Sequence, residues 1–184
     1  MNRWFPIETE RLLLREFRAD DESGIHTYAS DPEVVRLMIW GPNTPEQTRT
    51  FLQTVLKAQE EWPRAFVGLA IELKGEGRMI GSIGLRVKDE HNRAADIGYV
   101  LARSYWDRGY MTEAGRAILD VAFREIDLHR VWATCDPRNR ASYRVMEKLG
   151  MRREAHFRKG VMEKGEWRDS YLYAILAEEW LAHL

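Results

Sequence analysis

The residues from Asp96 to Phe123 include types that together can hold an anion. Arg108 carries a mobile positive charge, Gly109 has no Cβ to keep a phosphate from the backbone, and Thr112 stands where a helix N-cap would. Upstream, Ile97, Tyr99 and Leu101 alternate with Asp96, Gly98 and Val100, as in a half-buried strand. Downstream, Ala114, Ala117, Ile118, Val121 and Ala122 recur at helical spacing. The stretch therefore predicts strand, basic turn and helix N-terminus. Unpaired backbone N–H groups and the helix dipole favour a negative group at such a point. One account is a pyrophosphate cradle. An ordinary strand-to-helix connection, with glycine supplying only an unusual φ and Arg108 solvated, accounts for the same residues.

The turn Tyr105-Trp106-Asp107-Arg108-Gly109-Tyr110-Met111-Thr112-Glu113-Ala114 resembles the acetyl-CoA loop of the GNAT acetyltransferase superfamily, usually written Q/R-x-x-G-x-G/A. Gly109 keeps the central glycine, whereas Trp106 replaces the leading Gln or Arg and Met111 the final Gly or Ala. A second segment, Asn139-Arg140-Ala141-Ser142 through Glu147-Lys148-Leu149-Gly150-Met151, is similar to the family's N-x-x-S…E-K-L-G-F pattern. The two occur in the family's order, and the surrounding chain resembles its RimJ/RimL branch, whose members acetylate ribosomal-protein amino termini.

The resemblance implies a site. The backbone of Tyr99, Val100 and Leu101 would bind pantetheine, Trp106, Asp107, Arg108, Gly109, Tyr110, Met111 and Thr112 would surround the diphosphate, and Asn139 would meet the pantetheine arm. Asn139 also makes sense as a plain N-cap. Many members protonate the leaving thiolate with a tyrosine four residues before the motif's glycine. That position here is Met146, which has no proton to give. Ser142, where the RimJ/RimL-like pattern has serine, is the candidate donor. It also falls at helical spacing with Val145, Met146 and Leu149, so a small residue on a packed face is the other account. Asp96, where many members carry Glu, is the candidate general base. An exposed carboxylate at the strand edge is its alternative.

An acetyl thioester is already activated, so no covalent nucleophile is needed. Holding the donor, orienting a neutral amine, polarising the carbonyl and managing two protons suffice. The base required depends on the amine. An α-amine with a pKa near about 7.7–8.0 costs only about 1 kcal/mol to neutralise at pH 7, a lysine near about 10.4 roughly 4.6. Weak evidence for a dedicated base favours the former.

The remaining chain must position these groups. The 184 residues, 45% of them hydrophobic, allow one domain over the whole chain with a sizeable core. A net charge of −1 gives no pull toward nucleic acid or anionic membrane. No apolar run reaches the roughly 20 residues of a membrane span, and Met1 to Pro6 lacks the apolar core of a secretory signal. A cytoplasmic protein is expected. The single Cys135 precludes an internal disulfide, and five scattered histidines offer no metal-ligand spacing.

Residues 11–17 read as a first strand. Two helices follow, one starting at Asp31-Pro32 and one at the capping box Thr44-Pro45-Glu46-Gln47. Between them, Met38 to Asn43, with Trp40, either packs the helices or lines an acceptor pocket. Residues 65–73 and 79–87 form a hairpin through Lys74-Gly75-Glu76-Gly77, bounded upstream by Trp62-Pro63-Arg64. Gly81 and Gly84 weaken the second strand unless another backbone or a ligand comes close. After the central strand the chain crosses over through the long helix to a parallel strand at 130–135. A helix from Asn139 closing at Gly150, strands near 152–159 and 169–176, and a short terminal helix complete the chain. This is the α+β GNAT fold: a mixed, mostly antiparallel, strongly twisted sheet of about seven strands with about four helices and one strand-helix-strand crossover.

The leading expectation is an N-acetyltransferase that takes the acetyl group from acetyl-CoA without a metal and places it on a protein amino terminus or a small amine. A CoA-binding module without turnover is the alternative, motivated by Met111 and Met146 at motif positions. Nucleic-acid binding through Arg138, Arg140, Arg144, Arg152 and Arg153 is disfavoured by intervening acids. Many relatives dimerise, and the aromatic C-terminal segment is compatible with a homodimer.

Overall fold

The computed structural model describes residues 4–61 and 63–182. Met1 to Arg3, part of the expected signal-free terminus, and Trp62, part of the expected boundary before the hairpin, lie outside the described residues. The strands are β1 (Ile7–Glu8), β2 (Leu12–Glu16), β3 (Phe66–Leu73), β4 (Arg78–Asp89), β5 (Ala94–Leu101), β6 (Arg130–Cys135), β7 (Arg152–Glu163) and β8 (Glu166–Leu176). The helices are α1 (Glu22–Ala29), α2 (Pro32–Val35), α3 (Pro45–Glu60), α4 (Tyr110–Arg124), α5 (Arg140–Lys148) and α6 (Ala177–Ala182). All eight strands form one sheet in the order β1-β2-β3-β4-β5-β6-β8-β7. Every neighbouring pair is antiparallel except β5 and β6.

The class matches the expectation, with eight strands and six helices in place of about seven and four. The additions are short or weakly patterned. β1 is two residues long, too brief for alternation to register. Asp31-Pro32 does start a helix, with Asp31 accepting from the Glu33 N–H at 2.9 Å, but only the four-residue α2. The unforeseen α1 precedes it. The capping box at Thr44 is present, Gln47 accepting from the Thr44 N–H at 2.8 Å and Thr44 from the Gln47 N–H at 3.3 Å. β7 and β8 run further than expected, to a turn of only Lys164 and Gly165.

Apolar side chains fill both faces of the sheet. Leu12, Leu14, Ile97 and Leu101 meet Ala114, Ile118, Leu119 and Phe123 of α4 on one side. Ile25, Tyr28, Leu52 and Val55 from α1 and α3 cover the other. On that second face the Arg15 guanidinium is buried between Asp21, bidentate at 2.8 Å, and Glu72 at 2.7 Å. The Asp21 bonds, larger than the opposing effect of burial, raise the Arg15 pKa. The pair ties the short 3-10 turn at Ala19–Asp21 to β2. Gly81 has the close neighbour its position called for: a Cβ there would run into the Val100 carbonyl on β5.

α4 begins earlier than the apolar period implies. Its N-cap is Gly109, at φ +80°, and Thr112 is the third helical residue rather than the cap. The period was misleading because the first buried small residue, Ala114, comes a full turn into the helix. The N-terminal segment clamps this first turn: Glu113 accepts from the Thr9 hydroxyl (2.6 Å), the Arg11 N–H (2.8 Å) and the Arg11 Nε (2.7 Å). Burial alone would raise the Glu113 carboxyl, but the bonds from Thr9 and Arg11 outweigh it and hold it below the usual carboxylate range. A carboxyl depressed in the folded state stabilises above its unfolded pKa, and that contribution fades as pH falls through the folded value. Glu113→Gln is therefore expected to cost about 1–3 kcal/mol at neutral pH, a deficit that closes in acid as the parent's carboxyl protonates. Urea unfolding at several pH values measures it; a deficit that does not change with pH would remove the carboxylate's charge from the clamp.

Candidate functional site

The parallel pairing of β5 with β6 lasts three residues, Ala94, Ala95 and Asp96 against Arg130, Val131 and Trp132. Beyond it the strands part. Residues 97–101 stay paired with β4, and Ala133–Cys135 with β8. On the side facing β6, the backbone of Tyr99, Val100 and Leu101 thus has no strand partner, and buried backbone groups need one. An extended chain of amides laid in this cleft would satisfy them.

The loop after β5 closes one end of the cleft. Trp106 donates its indole N–H to the Leu101 carbonyl at 2.9 Å, fixing the loop on the strand end. Asp107 and Gly109 both have positive φ, +58° and +80°, and turn the chain sharply into α4. The left-handed φ is what requires glycine at 109, since a Cβ there would meet only the Arg11 guanidinium, at 3.5 Å. No side chain caps this helix, and its first intrahelical bond is Glu113 N–H to the Gly109 carbonyl, 3.1 Å. The N–H groups of Tyr110, Met111 and Thr112 precede that bond and suit an anion. The Met111 side chain is buried in the core, so only its backbone can contribute. Arg108 lies over the Tyr105 ring.

Arg11 is a second cation at this helix end, which local sequence could not reveal because it comes from a segment almost a hundred residues earlier. It donates to the Arg108 carbonyl at 3.0 Å and packs over the Tyr110 ring at 4.5 Å.

At the other wall of the cleft, Asn139 is the N-cap of α5, its Oδ1 accepting from the Ser142 N–H at 3.1 Å. The amide NH2 of Asn139 remains as a donor. Ser142 is not merely a packed small residue. Its Oγ lies 3.2 Å from the Tyr99 hydroxyl, which also donates to the Ser142 carbonyl at 3.0 Å. Burial pushes the Tyr99 phenol well up, so it stays protonated as a donor. Burial likewise raises the Cys135 thiol to about 11, with a bond to Ser142 partly opposing, so Cys135 is a neutral thiol and no nucleophile. Met146 is buried beneath the pair.

A cavity of about 650 Å³ runs from this cleft through the sheet to its α1–α3 side. Its floor is a row of glycines. Gly68, Gly84 and Gly98 stand in register on β3, β4 and β5, and all three line it. The Phe66 ring lies where Cβ atoms at Gly68 and Gly84 would go, while nothing lies within 4 Å of one at Gly98. One wall is the segment Leu37 to Trp40, so that segment lines the cavity as well as packing, with Met38 and Trp40 against the α1–α3 core. The opposite wall is the β7–β8 hairpin. Its Lys164 ammonium donates to the Val35 carbonyl at 2.7 Å, strapping the hairpin onto the end of α2.

Asp96 opens onto this cavity from the same face of β5 as Gly98. Its Oδ1 is buried with no hydrogen-bond partner among the described residues, the Lys88 ammonium standing 3.9 Å away. The arginines that suggested nucleic acid are largely committed: Arg138 to Asp136 (2.7 Å), Arg144 to Glu147 (3.2 Å), Arg152 to Glu179 (2.9 Å), with Arg153 over the Tyr171 ring.

Comparison with known proteins agrees with this geometry. Residues 11–152 match the family model described as an acetyltransferase (GNAT) domain. The chain is 40% identical over 176 residues, 95% of its own length and 98% of the relative's, to the N-acetyltransferase YnaD of Bacillus subtilis (strain 168). The crystal structure of a GNAT-family acetyltransferase from Bacillus anthracis shares 40% identity, with a TM-score of 0.83 over 94% of this chain and 98% of that one. The ribosomal-protein-S5-alanine acetyltransferase of Vibrio fischeri is 25% identical, with a TM-score of 0.77 over 95% and 97%. A family match across most of the chain, around a sheet that opens between its two parallel strands, means that the chain belongs to the GNAT family and is an acetyl-CoA-dependent acetyltransferase.

Proposed function

We propose that the protein moves an acetyl group directly from acetyl-CoA in the β5–β6 cleft to a primary amine in the glycine-floored cavity. The observation that carries this is the continuity of that cavity, which has Ser142 at the cleft and Asp96 on the acceptor side among its lining residues. In this account the free backbone edge of Tyr99, Val100 and Leu101 holds the pantetheine, the Asn139 amide meets its arm, and the loop from Trp106 to Thr112, with Arg11, takes the diphosphate. The donor supplies an activated thioester, so the chain's own groups need only align the amine and handle protons. Asp96, one of whose carboxylate oxygens faces the Lys88 ammonium at 3.9 Å, accepts the proton of the incoming ammonium on the other. Ser142, held by Tyr99 and Asn139 in the first turn of α5, relays a proton: it takes the one the nitrogen sheds after attack as it passes its own to the departing thiolate, where the helix N-terminus also favours negative charge.

The acceptor is an amine of low pKa, an α-amine before a lysine, since Asp96 alone would bear the roughly 4.6 kcal/mol that a lysine demands at pH 7. The name of the Vibrio fischeri neighbour, which specifies a ribosomal-protein alanine, supports a protein amino terminus as one such acceptor. Met111 and Met146, which motivated the non-catalytic alternative, are buried core side chains with a packing role of their own.

Thiol release from acetyl-CoA, screened over peptides with different amino-terminal residues, polyamines and amine antibiotics, tests the reaction; turnover is expected with at least one α-amine, and coenzyme binding without release for any amine would favour the module. Gly98→Val is expected to leave folding and coenzyme affinity intact while raising KM for the amine by tenfold or more, roughly the effect of the methyl groups it adds to the floor. An unchanged KM would place the acceptor elsewhere. Ser142→Ala is expected to lower kcat roughly a hundredfold with little change in coenzyme affinity. Asp96→Asn should slow transfer to a lysine-type amine more than to an α-amine, and pH-rate profiles identical to the parent's would assign proton removal to another group.

A further inference from the structure

Three groups that carry a proton meet where β5 and β6 part. The Tyr99 hydroxyl lies 3.2 Å from Ser142 Oγ and donates to the Ser142 carbonyl at 3.0 Å. From β6 the Cys135 thiol stands beside the same serine. All three residues line the cavity. Met146, buried beneath them, has no proton to give.

The two neighbours of Ser142 are not equal. A thiol is a weak donor and a phenol a strong one. Burial, which outweighs the bond to Ser142, raises the Tyr99 phenol, so its proton stays in place through the neutral range. A phenol has a single O–H, and here two oxygens of Ser142 compete for it. While that O–H points to the carbonyl, the phenol oxygen is left to accept from Oγ. Once Ser142 turns its own O–H to a thiolate, the phenol O–H is free to swing to Oγ. A hydroxyl that accepts such a bond becomes a stronger donor, because hydrogen bonds in a chain polarise one another.

We propose that Tyr99 is a positioning residue for the leaving thiolate: its O–H turns from the Ser142 carbonyl to Ser142 Oγ as charge builds on the coenzyme sulfur, strengthening the bond that Ser142 gives that sulfur. No bond to Tyr99 is made or broken covalently, and the phenol keeps its own proton throughout. The role needs no contact between Tyr99 and either substrate. It rests on the relay through Ser142 proposed above and adds the group that supports it.

A double-mutant cycle on the full chain separates this role from a structural one, because Ser142→Ala removes the hydroxyl but keeps the carbonyl that Tyr99 also holds. Two quantities are measured in the parent, Tyr99→Phe, Ser142→Ala and the double variant. The first is the acid dissociation constant of the thiol of bound CoA, followed by the ultraviolet absorbance of its thiolate. All four chains carry Cys135→Ala for this titration; Cys135 is the single cysteine, so the coenzyme then supplies the only thiol. The second is the rate of acetyl transfer within the first turnover, to a peptide with an amino-terminal alanine and to the fastest amine of the screen above. With Ser142 present, Tyr99→Phe is expected to lower each quantity roughly three- to tenfold, the effect of one hydrogen bond, with CoA affinity unchanged. With Ser142→Ala in place, Tyr99→Phe should change neither. Equal effects in both backgrounds would assign Tyr99 to holding the first turn of α5 and overturn the proposal, as would no effect in either. If Tyr99→Phe lowers the melting temperature, the comparison still decides, since that loss is common to both backgrounds. A thiol that responds to Tyr99 only through Ser142, without transfer to any amine, keeps the role of Tyr99 and removes the transfer reaction. Transfer that depends on Ser142 and not on Tyr99 removes Tyr99 alone.

Discussion

The structure depends on a pairing that stops. β5 and β6 are joined for three residues and then diverge, and the sheet survives because each has a full antiparallel partner on its other side. Stopping the ladder leaves backbone donors and acceptors exposed in a cleft, which would be costly in a sealed core. Here the cost becomes a binding edge. The loop after β5, pinned by Trp106 to the strand end, leads into the crossover helix α4, whose N-terminus closes one end of the cleft. Thr9, Arg11 and Glu113 hold that helix end in place from the opposite end of the chain.

The cavity on the other face comes from what is missing there. Three glycines in register across β3, β4 and β5 leave a trough, and the Phe66 ring fills only its outer part. Glycine weakens a strand, and the sheet offsets that through its long pairings on either side and the apolar layer under α4. The trough would be an open groove without the β7–β8 hairpin, which Lys164 and Arg168 tether to the carbonyls ending α2. A wall made from the last strands and the first helices turns the groove into a cavity.

Burial also sorts the titratable groups into roles. Cys135 and Tyr99 are half-buried, and desolvation raises the pKa of both, which favours a neutral thiol and a protonated phenol beside Ser142. Asp96 and Arg168 keep one unsatisfied atom each on the lining of the cavity. The Arg15, Asp21 and Glu72 group, by contrast, satisfies its charges internally and serves as structure.

Local patterns carried much of this. Alternation located β5, and the Thr44 and Asn139 caps marked the starts of α3 and α5 because capping is a matter of a few adjacent residues. Where tertiary packing set the boundary, the period of small apolar residues misled: α4 is entered through the left-handed Gly109, its N-cap, and Met111 already packs into the core before the period from Ala114 begins. The glycine row, Arg11 beside Gly109 and Arg168 above the cavity left no local signal, since each has meaning only through residues far away in the chain. Most strands and helices, and the basic turn leading into a helix N-terminus, were legible along the chain because they follow from periodicity and backbone chemistry within a few residues. Where the sheet splits and what floors and walls the cavity were settled by folding, because those depend on strand register and burial, which are set by contacts between distant parts of the chain.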